Sequence, residues 1–270
     1  DEIFGGYVRH FKGSRTWSKL KFIPYPVRSS IGYFIKSIPP EKYEKINTFF
    51  GKKNISQKVM KIASRLKNIK SYDDLYRTLI MENIDNDIFT NSFIEELNNS
   101  DSYYESGLED FPSSSSNDPV ARMLYWDAIS YLPDDILVKV DRASMAYSLE
   151  TRAPFLDKRV AEIAWKIPTK MKVNKGKGKI ILKELLCKYL PKEYVYRPKK
   201  GFGAPTSEWL RGPLKEWAED LLKGDQIKDQ NYFSLVKIDN LWDDHINKKT
   251  DNTNILWSIL MWQLWMNHNK

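Results

Sequence analysis

The chain has 270 residues, of which 41% are hydrophobic and 13% are aromatic. This content can fill a packed core and excludes a wholly disordered protein. The net charge is +8, but the 43 Lys and Arg are spread along the chain among 35 Asp and Glu. The charge alone therefore does not indicate a nucleic-acid partner.

Two further features bear on the compartment. The single cysteine, Cys187, cannot form an internal disulfide, which fits a reducing environment. The most apolar stretch, residues 255–266, is too short to cross a bilayer and contains Ser258 and Gln263, so it is interpreted as a helix packed on the protein. We therefore expect a cytoplasmic protein without a membrane partner.

Prolines and polar residues divide most of the chain into predicted helices. Several short helices are predicted before residue 100, and the serine-rich residues 113–119 are predicted to form a loop. Asp118-Pro119 starts a helix through Tyr131, and Pro133 starts another that ends near Tyr147, because proline fits a first helical turn. Further helices are predicted at residues 158–166, 179–189, 206–223, 233–247 and 252–267. Strand signals are few, so the predicted fold class is mainly α.

The predicted helix after Pro133 carries charges on one face. Asp135, Lys139 and Arg142 lie at positions i, i+4 and i+7, which brings an acid and two cations together. A surface ladder of ion pairs would give the same spacing. Apolar residues crowd this face, however, and charges among apolar groups need partners or ligands, which favours a functional site.

A second group of cations lies in residues 196–205, which read Tyr-Arg-Pro-Lys-Lys-Gly-Phe-Gly-Ala-Pro. Lysine can contact phosphate oxygens, and glycine allows the backbone to approach an anion closely. A solvated turn is the alternative, but two prolines restrict the loop, and rigidity suits charge stabilisation.

Three further sequence patterns are weaker indications of a site. Asp1-Glu2 precedes Gly5-Gly6 and could hold Mg²⁺ through carboxylate oxygens. Residues 150–157 are interpreted as a buried Glu150–Arg152 salt bridge and a helix cap at Asp157. The Lys-Gly alternation of residues 174–179 is interpreted as a solvated loop, with a phosphate-facing loop as the alternative.

Together these segments resemble the asparagine synthetase B family, which belongs to the ATP pyrophosphatases with a Ser-Gly-Gly-x-Asp-Ser phosphate loop. The matching blocks are residues 1–7, residues 131–157 and residues 196–205, followed by Trp209-Leu210-Arg211. The resemblance is firm over residues 118–222, recognisable at both ends of the chain, and faint over residues 11–116. The resulting segments are a divergent helical segment (1–117), the best-matching active-site segment (118–222) and the C-terminal helices (223–270).

The resemblance implies the fold and the domain organisation. The chain would be the helical C-terminal part of an α/β domain of the adenine-nucleotide alpha-hydrolase-like (PP-loop) type. The phosphate loop and an N-terminal glutaminase domain of the same parent chain would lie outside residues 1–270. We therefore expect the 270 residues alone to be inactive. Whether the protein forms a homodimer stays open.

The implied activity is that of a ligase, asparagine synthase (glutamine-hydrolysing), with ATP and Mg²⁺. Its substrates would be aspartate, ATP and either glutamine or ammonia, and the reaction would pass through a β-aspartyl adenylate.

The resemblance also assigns roles to residues. Lys199 and Asp135 are the implied catalytic residues, although Asp135 is offset by one position against some family members. Asp1 would bind Mg²⁺. The implied nucleotide-binding residues are Asp1, Lys139, Arg142, Lys199, Lys200 and Gly201.

Two alternative functions stay open at this point. Related enzymes activate a different carboxylate, such as a sugar acid, a peptide or a β-lactam precursor, by similar chemistry. A basic helical module that binds nucleic acid is a more remote alternative, because it leaves the three matching blocks unexplained.

Overall fold

In a computed structural model of the chain, the described residues are 1–38, 55–80, 88–99, 118–197 and 203–269, and most of them are helical. Strand-type pairing within these ranges is limited to two isolated bridges, Phe89 with Phe233 and Asn174 with Lys177. The predicted mainly α class is therefore confirmed for these ranges, while an α/β nucleotide-binding sheet is not part of them.

The chain divides into two compact units. The first unit comprises Asp1–Pro24, Ser71–Leu79 and Gly107–Lys200, and the second comprises Tyr25–Lys70, Ile80–Ser106 and Gly201–Lys270. In chain order the α-helices are α1 (Val8–Leu20), α2 (Tyr25–Ser37), α3 (Ile55–Asn68), α4 (Tyr72–Ile80), α5 (Asn91–Asn99), α6 (Pro119–Trp126), α7 (Val138–Met145), α8 (Lys158–Lys166), α9 (Thr169–Lys172), α10 (Ile180–Leu186), α11 (Lys192–Val195), α12 (Thr206–Arg211), α13 (Lys215–Lys223), α14 (Asp225–Gln230), α15 (Leu235–Ile246) and α16 (Thr253–His268).

A π-helix, Asp127–Leu137, joins α6 directly to α7 in the first unit. The predicted start at Asp118 is confirmed, because its side chain accepts a hydrogen bond from the Val120 N–H at 2.8 Å. The predicted break between Tyr131 and Pro133 is wrong, since Pro133 lies inside the π-helix. The wider π turn accommodates a proline that an α-helix interior would exclude.

The first unit buries two sets of apolar side chains. Tyr76, Met123, Leu124 and Trp126 are fully buried where α4 and α6 contribute to the core. A second cluster consists of Ile3, Phe4 and Ala164, with partly buried side chains from the π-helix, α8 and α10 packed around it. This second cluster fixes the beginning of the chain against the rest of the unit.

Residues 149–156 run along the surface of the first unit. The predicted Glu150–Arg152 ion pair forms at 2.7 Å, but its side chains are 67% and 84% exposed, so the predicted burial is wrong. The segment belongs to no α-helix that could press these side chains into the core. The predicted cap is confirmed, because Asp157 accepts a hydrogen bond from the Arg159 N–H at 2.9 Å at the start of α8.

In the second unit, α12 to α16 surround a core that includes Leu210, Trp242 and Leu260. The predicted C-terminal helix is confirmed as α16, and no helix among the described residues is long and apolar enough to span a membrane. The predicted helix 206–223 is instead two helices, because Gly212 and Pro213 interrupt it. A close helix pair, α2 with α3, also belongs to this unit.

Candidate active site

The first six residues of the chain form a tight acidic turn. The Gly6 N–H donates to the Asp1 carbonyl at 2.8 Å, and Gly5 adopts a φ of 71° that favours glycine. Ile3 and Phe4 anchor the turn in the core. The side chains of Asp1 and Glu2 are therefore presented by backbone that is held by buried apolar groups.

Glu2 is buried, and its carboxylate has a strong partner. The Tyr7 hydroxyl donates to Glu2 Oε1 at 2.6 Å. Burial alone would raise the pKa of Glu2, but this hydrogen bond and further favourable contacts outweigh it, and the pKa lies below its usual value. Glu2 is therefore ionised at neutral pH.

The end of the Lys-Gly segment packs on the acidic turn. Lys179 donates its N–H to the Phe4 carbonyl at 3.2 Å, and its ammonium forms an ion pair with the Asp1 carboxylate. Gly178 is buried so close to the Gly5 carbonyl that no Cβ would fit. The interpretation as a solvated loop is therefore wrong for Gly178 and Lys179, although residues 174–177 are exposed as predicted.

A buried carboxylate, Asp127, lies where α6 passes into the π-helix. It accepts hydrogen bonds from Arg9 Nε at 2.9 and 3.1 Å, from His10 Nε2 at 2.6 Å and from the Tyr76 hydroxyl at 2.5 Å. Burial alone would raise the pKa of Asp127, but the hydrogen bonds from His10, Arg9 and Tyr76 lower it below the usual range. Because burial lowers the pKa of His10, the imidazole is neutral and donates from Nε2.

The predicted charged face lies at the end of the π-helix and in α7. Asp135, Lys139 and Arg142 are exposed, and in this part of the structure no ion pair joins them to one another. The surface ladder of ion pairs is therefore not formed. Burial and the neighbouring Asp135 carboxylate raise the pKa of Tyr131, which places Asp135 near that hydroxyl.

Two cavities adjoin the acidic turn. The first, about 100 Å³, is lined by both acids of the turn, by Lys179 and by apolar residues that include Leu132 and Phe155. The second, about 310 Å³, shares Glu2 and is otherwise largely apolar, with contributions from the π-helix, α7 and residues 151–156. Among the predicted site residues, Asp1 thus lines a cavity, whereas Asp135, Lys139 and Arg142 line neither.

Three predicted site residues, Lys199, Lys200 and Gly201, lie outside the described residues. Their assigned roles therefore stay predictions.

Sequence reasoning missed two residues of this site. Lys179 was assigned to a solvated loop, although its position directly before the apolar start of α10 could have indicated that the loop is anchored there. Asp127 was not singled out, although an acid directly after Tyr125-Trp126 in an apolar helix is a signal for a buried, paired carboxylate.

The chain belongs to the asparagine synthase family. The family profile described as "Asparagine synthase" matches residues 1–267, which is almost the whole chain. This confirms the resemblance inferred from the three sequence blocks.

Curated relatives carry matching names. The chain is 34% identical over 159 residues to "Asparagine synthetase [glutamine-hydrolyzing] 1" of Bacillus subtilis, which covers 59% of this chain and 25% of that protein. It is 29% identical over 267 residues to "Putative asparagine synthetase [glutamine-hydrolyzing]" of Mycobacterium bovis, covering 98% of this chain and 37% of that protein. A mouse protein named "Asparagine synthetase [glutamine-hydrolyzing]" is 39% identical over 69 residues, covering 24% and 12%.

The chain thus spans between about an eighth and little more than a third of the length of these three relatives. No solved structure matches it.

Proposed function

We propose that this chain forms part of an enzyme that converts aspartate to asparagine with ATP and with ammonia taken from glutamine. One observation carries the proposal. In this member of the asparagine synthase family, Asp1, Glu2 and Lys179 line one cavity, and the Lys179 ammonium forms an ion pair with Asp1. Carboxylate oxygens suit Mg²⁺, and a lysine suits phosphate oxygens. These groups together fit the handling of a metal-bound polyphosphate.

The chemistry determines what this chain's residues must do. A side-chain carboxylate oxygen of aspartate attacks the α-phosphorus of ATP, and pyrophosphate leaves. Ammonia then attacks the acyl carbon, and AMP leaves with that carboxylate oxygen. Because pyrophosphate gathers negative charge as it departs, fixed cations aimed at it lower the barrier. We assign this work to Lys199, as the family resemblance implies, and to Lys179.

Asp1 fits Mg²⁺ as one ligand among several. The described residues contain no cluster of three or more acidic, His or Cys side chains that could hold a metal. Mg²⁺ commonly binds through one or two carboxylates together with substrate phosphates. Asp1 would therefore hold the ion jointly with ATP, and the ion would supply charge neutralisation of the phosphates.

Lys139, Arg142, Lys200 and Gly201 are proposed as further nucleotide contacts, and Asp135 as a second catalytic residue. The exposed positions of Lys139 and Arg142 leave their head groups available to a ligand. The proposed domain organisation keeps residues 118–222 as the segment that carries most of the site, with residues 1–117 and 223–270 flanking it.

An isotope experiment on the full-length product of the gene tests the proposed reaction. The enzyme is supplied with MgATP, aspartate labelled with ¹⁸O in its side-chain carboxylate, and either glutamine or ammonia. We expect asparagine, pyrophosphate and AMP that carries one ¹⁸O. Product without label in AMP would exclude the acyl adenylate, and turnover only with another carboxylate, such as a sugar acid or a peptide, would exclude aspartate as the substrate.

Lys199→Ala tests the assigned cation in the same assay. Removal of one preorganised charge contact typically costs on the order of 10²–10³ in kcat, and we expect a loss of this size. Lys188→Ala is the matched control, because Lys188 is an exposed lysine outside both cavities. Equal activity of the two variants would remove Lys199 from the mechanism.

A further inference from the structure

The guanidinium of Arg9 contacts two tyrosine rings. Its Cζ is 4.1 Å from the centroid of the Tyr7 ring and 4.6 Å from that of the Tyr131 ring. The two rings meet edge to face with centroids 5.4 Å apart. A planar, delocalised cation can stack on an aromatic face in a way that an ammonium cannot reproduce.

Arg9 is held in this position from its other side. Its Nε donates to both carboxylate oxygens of Asp127, which is fully buried. That carboxylate is fixed in turn by His10 and Tyr76, on α1 and α4. Because every partner of Asp127 comes from a packed helix, Arg9 has little freedom to swing away.

The two tyrosines connect Arg9 to different segments of the site. The Tyr7 hydroxyl donates to Glu2 in the acidic turn. Tyr131 belongs to the π-helix, whose next residue, Leu132, lines both cavities. Arg9 therefore contacts both the tyrosine that holds a cavity acid and a tyrosine of the helix that borders the cavities.

We propose that Arg9 is a positioning residue of the candidate active site, which fixes the rings of Tyr7 and Tyr131 and, through Tyr7, the carboxylate of Glu2. The proposal rests on the proposed function, since it names how that site is aligned. Arg9 does not line either cavity, so it acts through the tyrosines rather than on a substrate.

A second arginine offers a matched comparison within the same unit. Arg122 donates to Asp73 from Nε at 3.0 Å and from a second nitrogen at 2.5 Å, and it lies 5.3 Å from the Trp126 ring. It thus combines a carboxylate and an aromatic ring as Arg9 does. These contacts lie on α4 and α6 and not on the acidic turn, so Arg122 serves as the comparison.

The experiment compares Arg9→Lys with Arg122→Lys in the full-length product of the gene. Both variants keep the charge and lose the planar guanidinium. Hydrogen exchange is followed in the peptide that contains Gly6, whose N–H closes the acidic turn. We expect exchange roughly tenfold faster in Arg9→Lys and unchanged in Arg122→Lys.

Activity gives a second, separate measurement. If the wild type makes asparagine, we expect Arg9→Lys to lower kcat about tenfold to a hundredfold through a misplaced Glu2 carboxylate, while Arg122→Lys keeps wild-type kcat. Equal exchange in the two variants overturns the proposal, and so does faster exchange with unchanged kcat. A wild type without aspartate-dependent turnover would refute the proposed function, while the exchange measurement would still decide whether Arg9 fixes the turn.

Tyr7→Phe keeps the test decisive if Arg9→Lys does not fold. It retains the ring beside Arg9 and removes only the hydroxyl that holds Glu2. We expect faster exchange at Gly6 with a Tm within about 3 °C of the wild type. Wild-type exchange in this variant would overturn the link between the stacked tyrosine and the turn.

Discussion

Lys179 illustrates how a single side chain acquires its role from a neighbouring segment. Its backbone φ of 57° lies in the left-handed region, which is costly for a lysine, and its ammonium forms an ion pair with Asp1. A position that keeps a costly conformation and places a cation at a cavity is a natural candidate for charge stabilisation. The lysine also keeps a partner for Asp1.

Lys179→Met should lower kcat/KM for aspartate-dependent pyrophosphate release on the order of 10²-fold, because it removes a fixed charge while keeping the aliphatic stem. The backbone cost is the same for lysine and methionine. Lys177→Met, in the exposed part of the same segment, should leave activity within about twofold. Steady-state kinetics decide the matter, and similar activity of both variants would contradict the role of Lys179.

Lys172, unlike Lys179, is a buried cation, and its burial costs the folded protein stability. Its exposed fraction is 2%, and burial lowers its pKa to about 8 from 10.5, partly opposed by Asp118. Its ammonium lies 5.2 Å from the centroid of the Trp165 ring. Between pH 8 and 10.5 the unfolded chain binds a proton that the folded chain does not, so this group makes stability rise with pH in that interval.

Lys172→Met should therefore stabilise the protein at pH 7 by on the order of 1–3 kcal/mol, because it removes the charge that burial disfavours. The gain should shrink as the pH rises from 8 towards 10.5 and disappear above it, where Lys172 is neutral in both the folded and the unfolded chain. Thermal unfolding at pH 7 and pH 10 measures it, with the exposed Lys170→Met as control. A pH-independent gain would show that packing, not charge, is responsible.

At the scale of the element, glycine decides how closely α2 and α3 approach. A Cβ on Gly32 would lie 2.7 Å from the Ala63 carbonyl oxygen and 2.9 Å from the Lys67 nitrogen. Both are backbone atoms, so the helices themselves would have to separate. The Tyr25 hydroxyl, which donates to the Lys67 carbonyl at 3.0 Å, would be displaced by the same movement.

Gly32→Ala should therefore destabilise this helix pair by about 1–3 kcal/mol, even though alanine is the better helix former. Ser30→Ala, at an exposed position of the same helix, should be neutral or slightly stabilising. Hydrogen exchange in peptides from α2 separates local from global effects. Protection in Gly32→Ala equal to that in Ser30→Ala would contradict the close approach.

The elements also show what could be predicted from sequence. Starts at Asp118 and Asp157 were predictable because a capping side chain acts within three residues of its own position. The continuation of the helix through Pro133 was not predictable, because proline normally ends a helix. The π turn that accommodates this proline depends on the packing of the whole segment. Sequence rules for helix capping therefore located the helix starts. They failed where tertiary contacts determine the backbone conformation.

The same distinction applies to the candidate site. Two adjacent acids before Gly-Gly form a motif within seven residues, so this turn could be noticed in the sequence, while the metal-binding role of Asp1 stays a prediction. The contact of Lys179 with Asp1 joins positions 178 residues apart, and that of Arg9 with Asp127 joins positions 118 apart. No pattern within a single segment indicates such pairs, so folding had to show them.

At the scale of the whole molecule, the described cavities are small compared with ATP. The cavity that contains Asp1 and Lys179 has about 100 Å³, whereas pockets for ligands of this size commonly have roughly 300–1,000 Å³. The larger cavity, about 310 Å³, is mostly apolar and offers few partners for phosphate. The 270-residue sequence also contains no Ser-Gly-Gly-x-Asp-Ser run.

The 270 residues by themselves should therefore neither bind MgATP appreciably nor release pyrophosphate, although they carry acids and cations suited to both. A charged ligand that the protein contacts from one side only stays largely hydrated. Each ion pair in contact with water contributes little to the binding free energy. Calorimetry with MgATP and a pyrophosphate assay with aspartate provide the measurement, beside the full-length product of the gene. Aspartate-dependent pyrophosphate release by the 270 residues would contradict this prediction, because it would mean that they already contain every group needed to bind the triphosphate.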